Sequence, residues 1–210
     1  MDLAASCTNL YAMQEFMKPH NTKKKDNSSK EAEKPKKKPI PVTSKEITVA
    51  IGLHMIMGVL HLPRVRMYWE LSLNIRIFID SMARDRFFFI RNHLHFVNKE
   101  EIPKDNKDKF FVIRPLLNSV LKRCRNLERE HIFAVDEQMV PFKGQHVYKM
   151  YLKDKPNPWG FKIFMLCGHS GICYDFFIYE GKNTKYFNDS EKYFGIGAAT
   201  VFTLAQSIPK

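Results

Sequence analysis

Near His131 the spacing of apolar residues changes from the repeat of helices to the alternation of strands. That switch limits the chain to an α+β architecture with its helices first. Ahead of it, Thr43-Ser44-Lys45-Glu46 carries the hydroxyl and carboxylate of a capping box. Ile47, Ile51, His54, Met55, Gly58, Val59 and Leu62 then recur at helical spacing until Pro63 ends the run. A second helix is predicted from Ile75 to Leu94, beginning near Asn74. It turns Phe78, Met82, Phe88 or Phe89 and Leu94 inward, and Arg76, Arg84, Arg86 and Arg91 outward. A third is predicted from Ile113 to Glu130, with Leu116, Leu117, Val120, Leu121 and Leu127 inside and Lys122, Arg123, Arg125 and Arg129 outside. A short amphipathic helix over Ala4 to Met17 would use Leu10, Met13 and Met17.

Beyond the switch, Ile132 to Val135 reads as a compact strand ending at Asp136. Phe161 to Cys167 and Cys173 to Tyr179 read as two more, joined by the tight-turn signal Gly168-His169-Ser170-Gly171. Three sequential antiparallel strands make a meander. Gly195-Ile196-Gly197 then opens a helix over Ala198 to Ser207, closed by Pro209. The layout expected is an N-terminal helix at 1–17, a lysine-rich loop at 18–42, a helical unit at 43–130 and a sheet-bearing unit at 131–210.

The net charge of +12 points to a polyanionic partner, nucleic acid first, with a merely soluble basic surface as the alternative. Between Lys18 and Lys38 stand nine lysines against three acids and almost nothing apolar. Such a segment is expected to be disordered. Within it Lys34, Lys36, Lys37 and Lys38 have the form of a nuclear-import signal, or of a solvated charge run. Cys7, Cys124, Cys167 and Cys173 form no paired short spacing of the kind zinc sites use; Cys167 and Cys173 could face each other across a hairpin, but the default reading is reduced, half-buried thiols. The apolar run from Ile47 to Leu62 is too short and too polar to span a bilayer, and no secretory signal is evident. His93 and His95 read as packing residues in the absence of a third ligand.

The stretch from Val135 to Lys162 carries the chemistry. It puts one carboxylate, Asp136, on a strand and follows it with a basic, aromatic, proline-punctuated hairpin. Lys143, Lys149, Lys153, Lys155 and Lys162, mixed with Tyr148, Tyr151 and Trp159, suit phosphates and stacked bases, although the aromatics would equally cap a core. Arg84, Arg86 and Arg123 on the helices are further DNA-contact candidates, or ordinary solvated positions. Breaking a phosphodiester by the two-metal route needs two ions about 3.5–4 Å apart. A lone Asp136 cannot fix both. Glu137 faces the other side of the strand, and Asp175, Asp189 and Glu191 have no motif support.

Assembled in order, these residues closely resemble the piggyBac family of DNA transposases and their domesticated relatives. The resemblance begins with Thr8-Asn9-Leu10-Tyr11-Ala12 and runs through Glu46-Ile47, Gly52, Met57-Gly58, Leu62-Pro63 and Tyr68-Trp69. It continues with Met82, Arg84, Arg86-Phe87, Leu94-His95-Phe96, Asp108-Lys109 and Arg114-Pro115, then the Asp136-to-Lys162 stretch, Gly195, Gly197, Ala198, Leu204 and Pro209. It implies a helical dimerisation and DNA-binding region followed by a ribonuclease-H-like catalytic core. In that core three aspartates hold Mg²⁺ or Mn²⁺ for cut-and-paste movement at TTAA targets. Asp136 aligns with the first aspartate. The second is expected in a strand shortly after the helix near the end of this chain, and the third later still.

The chain is therefore expected to act as a nuclear, transposase-derived DNA-binding protein with an incomplete catalytic core and no functional cofactor. The alternative is a fragment of a competent transposase. The partners expected are double-stranded DNA and a second copy, with no membrane and no small-molecule substrate. Where the family usually has Arg after Phe142-Lys143-Gly144, this chain has Gln145. The strand bearing Asp136 is expected to keep one open edge, leaving a marginally stable half-domain after residue 131.

Overall fold

A computed structural model describes residues 1–18, 37–181, 184 and 193–208. The chain divides into two compact units, Met1–Pro115 and Leu116–Lys210. The fold is mixed α+β with an antiparallel sheet. No helix among the described residues is long and apolar enough to cross a membrane.

The first unit is helical, with α1 at Asp2–Met17, α2 at Ser44–Leu60, α3 at Arg76–Ser81 and α4 at Arg84–His93. The capping box forms as the sequence predicts. Thr43 Oγ1 accepts the Glu46 N–H at 3.2 Å, and Glu46 Oε2 accepts the Thr43 N–H at 2.9 Å. Ile47, Leu53, Tyr68, Phe78, Phe87 and Ile90 are buried at the centre, with Ala4, Ala5 and Val42 against them. The buried Tyr68 hydroxyl accepts from Leu62 N at 2.9 Å and donates to Met57 O at 3.2 Å, tying the end of α2 to the turn that follows.

Three readings of this unit need correcting. Helix α1 buries Ala4, Ala5, Thr8 and Ala12, and leaves Leu10 and Met17 exposed. Small side chains allow the backbone a close approach to α2 and α4, and that outweighs the larger residues on the opposite face. The helix expected across 75–94 breaks at Met82, which is extended (φ −160°, ψ 137°). Its carbonyl instead accepts the Trp69 indole N–H at 2.7 Å. The segment 37–42, expected to belong to a disordered loop, is anchored at its end. Val42 is buried, and Asn9 bonds both its N–H (2.6 Å) and its C=O (2.9 Å). The rest of that loop, from residue 19 to residue 36, lies outside the described residues.

Helix α5 spans Arg114–Arg125, stopping short of the predicted Glu130, and all but its first two residues group with the sheet. The boundary between units thus falls earlier than the reading at residue 130. The physical reason is the bidentate pair between Arg125 and the buried Asp175 of the sheet, at 3.0 and 3.1 Å. Leu116, Val120 and Leu127, expected inside, are at least a third exposed.

The sheet of the second unit contains β1 at Phe133–Pro141, β2 at Met150–Tyr151, β3 at Trp159–Gly168 and β4 at Cys173–Ile178. Strand β3 pairs antiparallel with all three others, so β1, β3 and β4 form the expected meander with the two-residue β2 added. Strand β1 is longer than predicted, which moves Asp136 from its end to its middle. It continues because Glu137 to Pro141 stay in register with Phe164 to Gly160. Glycine is required at the last of these pairs: a Cβ on Gly160 would lie 2.1 Å from the Val140 carbonyl oxygen. Helix α6, Gly195–Ala205, covers one sheet face, burying Ala199 and Leu204 against Phe164, Leu166, Tyr174 and Phe177. Among the described residues β1 pairs on one side only, with β3.

Candidate nucleic-acid interface

Strand alternation decides what surrounds Asp136. Along β1, Phe133, Val135, Glu137 and Met139 are half-buried, whereas Ala134, Asp136, Gln138 and Val140 are exposed. Phe133 and Val135 pack into the core under α6, so Asp136 points from the other face. Its Oδ1 accepts the Glu137 N–H at 2.7 Å. Its cross-strand partner is Met165, not a second acid.

Glu137 faces the opposite way and meets two cations, Lys155 Nζ at 3.3 Å and Lys162 Nζ at 3.9 Å. The Lys162 ammonium also lies 4.5 Å from the centre of the Phe164 ring.

The hairpin from Phe142 to Pro158 packs against the start of β3. Phe142 N donates to Trp159 O at 3.2 Å, and the rings of Phe142 and His146 each lie 4.9 Å from that of Phe161. Lys149 folds back, donating to the carbonyls of Lys143 (3.3 Å) and Gly144 (3.0 Å) while sitting 5.1 Å over the Trp159 ring. A groove of about 370 Å³ is left between Pro141, Phe142, Lys143, Lys149, Pro158 and Trp159. Tyr151 and Trp159 pair across β2 and β3 at 4.9 Å, each about half exposed (51% and 53%), so they are available to a ligand rather than sealed in a core.

The contact candidates therefore sort by engagement. Lys149, Lys155 and Lys162 have internal partners. Arg86 is the most committed: it donates to both Glu46 oxygens (2.7 and 3.0 Å) and to the carbonyls of Ile40 (2.9 Å) and Pro41 (2.7 Å). That fork holds the Glu46 carboxyl down to a pKa of about 2, with the Thr43 N–H assisting. Arg84 is exposed beside Asp85 at 3.0 Å. Lys143, Lys153 and Arg123 are exposed, and among the described residues no ion pair engages them. Of the import-signal residues, Lys37 and Lys38 are exposed, and Lys34 and Lys36 lie outside the described residues.

The described residues do not by themselves bring together the donors of a two-ion metal site. Among the described residues no group of three or more His, Cys, Asp or Glu converges, and one Asp136 oxygen already accepts an N–H. Asp175, weighed as a substitute, is buried under Arg125, and Asp189 and Glu191 lie outside the described residues. His93 and His95 are packed as the sequence suggests. His95 stacks on Tyr11 at 3.7 Å, and His93 bonds the Phe89 carbonyl at 2.8 Å.

Two features escaped the sequence reading. One is the Glu137 pairing with Lys155 and Lys162, for which only the side-switching of adjacent strand residues gave a hint. The other is the convergence of Cys124 on Cys173, itself the cross-strand partner of Cys167. Burial first, and then these neighbouring thiols, push the Cys173 thiol up to about 12. The thiol is half-buried, and a shift in that direction favours its protonated form over the nucleophilic thiolate.

Comparison with known proteins places this sequence and fold in a family. The chain matches the family described as Transposase IS4 over residues 2–210. It is 33% identical over 172 residues to human PiggyBac transposable element-derived protein 3, covering 80% of this chain and 28% of that protein. It is 30% identical over 134 residues to human PiggyBac transposable element-derived protein 2, covering 61% and 22% respectively. Its fold is similar to the piggyBac transposase seen by cryo-electron microscopy in a synaptic complex with hairpin DNA. There the TM-score is 0.70 at 20% identity, over all of this chain and 42% of that one. This chain belongs to the piggyBac transposase family. It spans less than a third of the length of these curated relatives.

Proposed function

We propose that this chain is a transposase-derived DNA-binding protein whose hairpin at 142–158 grips duplex DNA, and whose sheet is the first part of a ribonuclease-H-like core. One observation carries the reading: the Lys143 and Lys153 side chains stand exposed and, among the described residues, enter no ion pair, in the same hairpin as the exposed Tyr151–Trp159 pair. Ammonium groups on phosphates give affinity that falls with salt, and exposed rings accept sugars or bases without strong sequence preference. The net charge of +12 draws DNA toward the protein at long range.

Strand cleavage through Mg²⁺ or Mn²⁺ asks for more carboxylates than the described residues bring together, so we assign them DNA binding and no chemical step. Import into the nucleus would rest on Lys34, Lys36, Lys37 and Lys38, and pairing with a second copy on the helical unit.

A second reading is favoured by the position of Asp136 on a sheet face that α6 leaves open. There it would serve as the first metal ligand of a complete cut-and-paste transposase, joined by carboxylates from further chain. Magnesium-dependent cleavage at TTAA by a longer form, abolished by Asp136→Ala, would establish that reading.

The test of DNA binding is titration of a labelled duplex at 50, 100 and 200 mM salt. The proposal requires an affinity that weakens linearly on logarithmic axes. Absence of binding at the lowest salt would end it.

A further inference from the structure

The structure assigns Glu137 a positioning role: its carboxylate holds the basic hairpin in place by pairing at once with Lys155 and Lys162. The inference rests on the DNA-binding reading only in its second readout. Three stretches of chain meet at this carboxylate. Glu137 belongs to β1, Lys162 to the neighbouring β3, and Lys155 to the loop that follows β2. In the β1–β3 register Glu137 stands opposite Phe164, and Lys162 stands opposite Met139. Glu137 and Lys162 are therefore diagonal neighbours on one face, a spacing that long side chains bridge. The Phe164 ring under the Lys162 ammonium limits where that lysine can go.

All three groups are at most a third exposed, so the pairs are better shielded than ordinary surface ion pairs. The same residue also supplies the N–H that Asp136 Oδ1 accepts. Glu137 thereby links the hairpin on one face of the strand to the aspartate on the other.

Lys155 of the hairpin and Lys162 of β3 thereby take a structural task, and the effect of removing it has a sign opposite to that of simple charge counting. Neutralising Glu137 raises the net charge by one, which by itself strengthens DNA binding. If the carboxylate positions the hairpin, neutralising it instead loosens residues 142–158 and scatters Lys143, Lys153 and the Tyr151–Trp159 pair, so binding weakens.

The experiment compares the wild-type chain with Glu137→Gln, Lys155→Gln and the double variant. Amide hydrogen exchange is read without DNA, and duplex titration is run on the same samples. Glu137→Gln is expected to exchange about fivefold faster within 142–158 while the strands β3 and β4 keep their protection. The double variant should be no worse than Glu137→Gln alone, because the two residues share one interaction. DNA affinity should fall in Glu137→Gln despite the added positive charge.

Unchanged exchange in 142–158, or a gain in affinity, overturns the assignment. Should the wild-type chain not bind DNA, the proposed function fails, and the exchange comparison alone decides the role of Glu137.

Discussion

Replacing Arg86 separates a structural arginine from a DNA contact, because the two roles predict losses in different assays. Its guanidinium makes four hydrogen bonds, two to the Glu46 carboxylate at 2.7 and 3.0 Å and two to the Ile40 and Pro41 carbonyls at 2.9 and 2.7 Å. It also lies 5.4 Å from the centre of the Phe89 ring. Hydrogen bonds to a charged group contribute about 1.5–3 kcal/mol each when buried. The Arg86 and Glu46 side chains are 21% and 31% exposed, and solvent discounts that range strongly. Arg86→Ala is therefore expected to cost about 2–3 kcal/mol in urea denaturation at pH 7. Arg86→Lys should recover only part of this, since a single ammonium cannot serve carboxylate and carbonyls together.

The pH dependence of the same pair carries a definite sign. Glu46 has its carboxyl lowered from 4.5 to about 2, so its contribution is full above pH 4.5 and is lost as pH falls through about 2. After discounting for its exposure, the loss amounts to about 1–2 kcal/mol, and it should be largely missing in Arg86→Ala. A variant with unchanged stability and reduced DNA affinity would refute this reasoning and return Arg86 to the list of DNA contacts.

Three further outcomes follow from the geometry. Gly160→Ala drives a Cβ to 2.1 Å from the Val140 carbonyl oxygen, so β1 must separate locally from β3; a loss of about 3 kcal/mol or more is expected by thermal melting. Tyr68→Phe removes the bond to the Leu62 N–H and the one to the Met57 carbonyl within a buried cluster. It should cost about 1–2 kcal/mol in denaturant titration, with the unfolding slope unchanged. Lys143→Ala and Lys153→Ala should leave stability within about 0.5 kcal/mol of the parent. Each should reduce the salt slope of duplex binding by about 0.9.

Local rules carried much of the sequence reading. The capping box at Thr43 and Glu46 depends on residues three apart, and it appears as written. The alternation of β1 likewise puts Asp136 and Glu137 on opposite faces from the strand period alone. The errors arose where a distant residue intervened. Trp69 takes the carbonyl of Met82 and breaks a helix whose pattern runs straight through. Arg125 reaches Asp175 and groups α5 with the sheet. On α1, apolar size proved a poor guide, because close backbone approach favoured the alanine face. The lysines of the hairpin and of β3 look alike in sequence. Only their neighbours in space separate Lys155 and Lys162, held by Glu137, from Lys143 and Lys153.

Where DNA touches the protein is the decisive question. Amide hydrogen exchange of the chain with and without a saturating duplex at low salt reads this directly. Slowed exchange is expected across residues 143–155, around the exposed Tyr151 and Trp159 rings, fading as salt is raised. Protection confined to residues 1–115, with the hairpin unchanged, would contradict it.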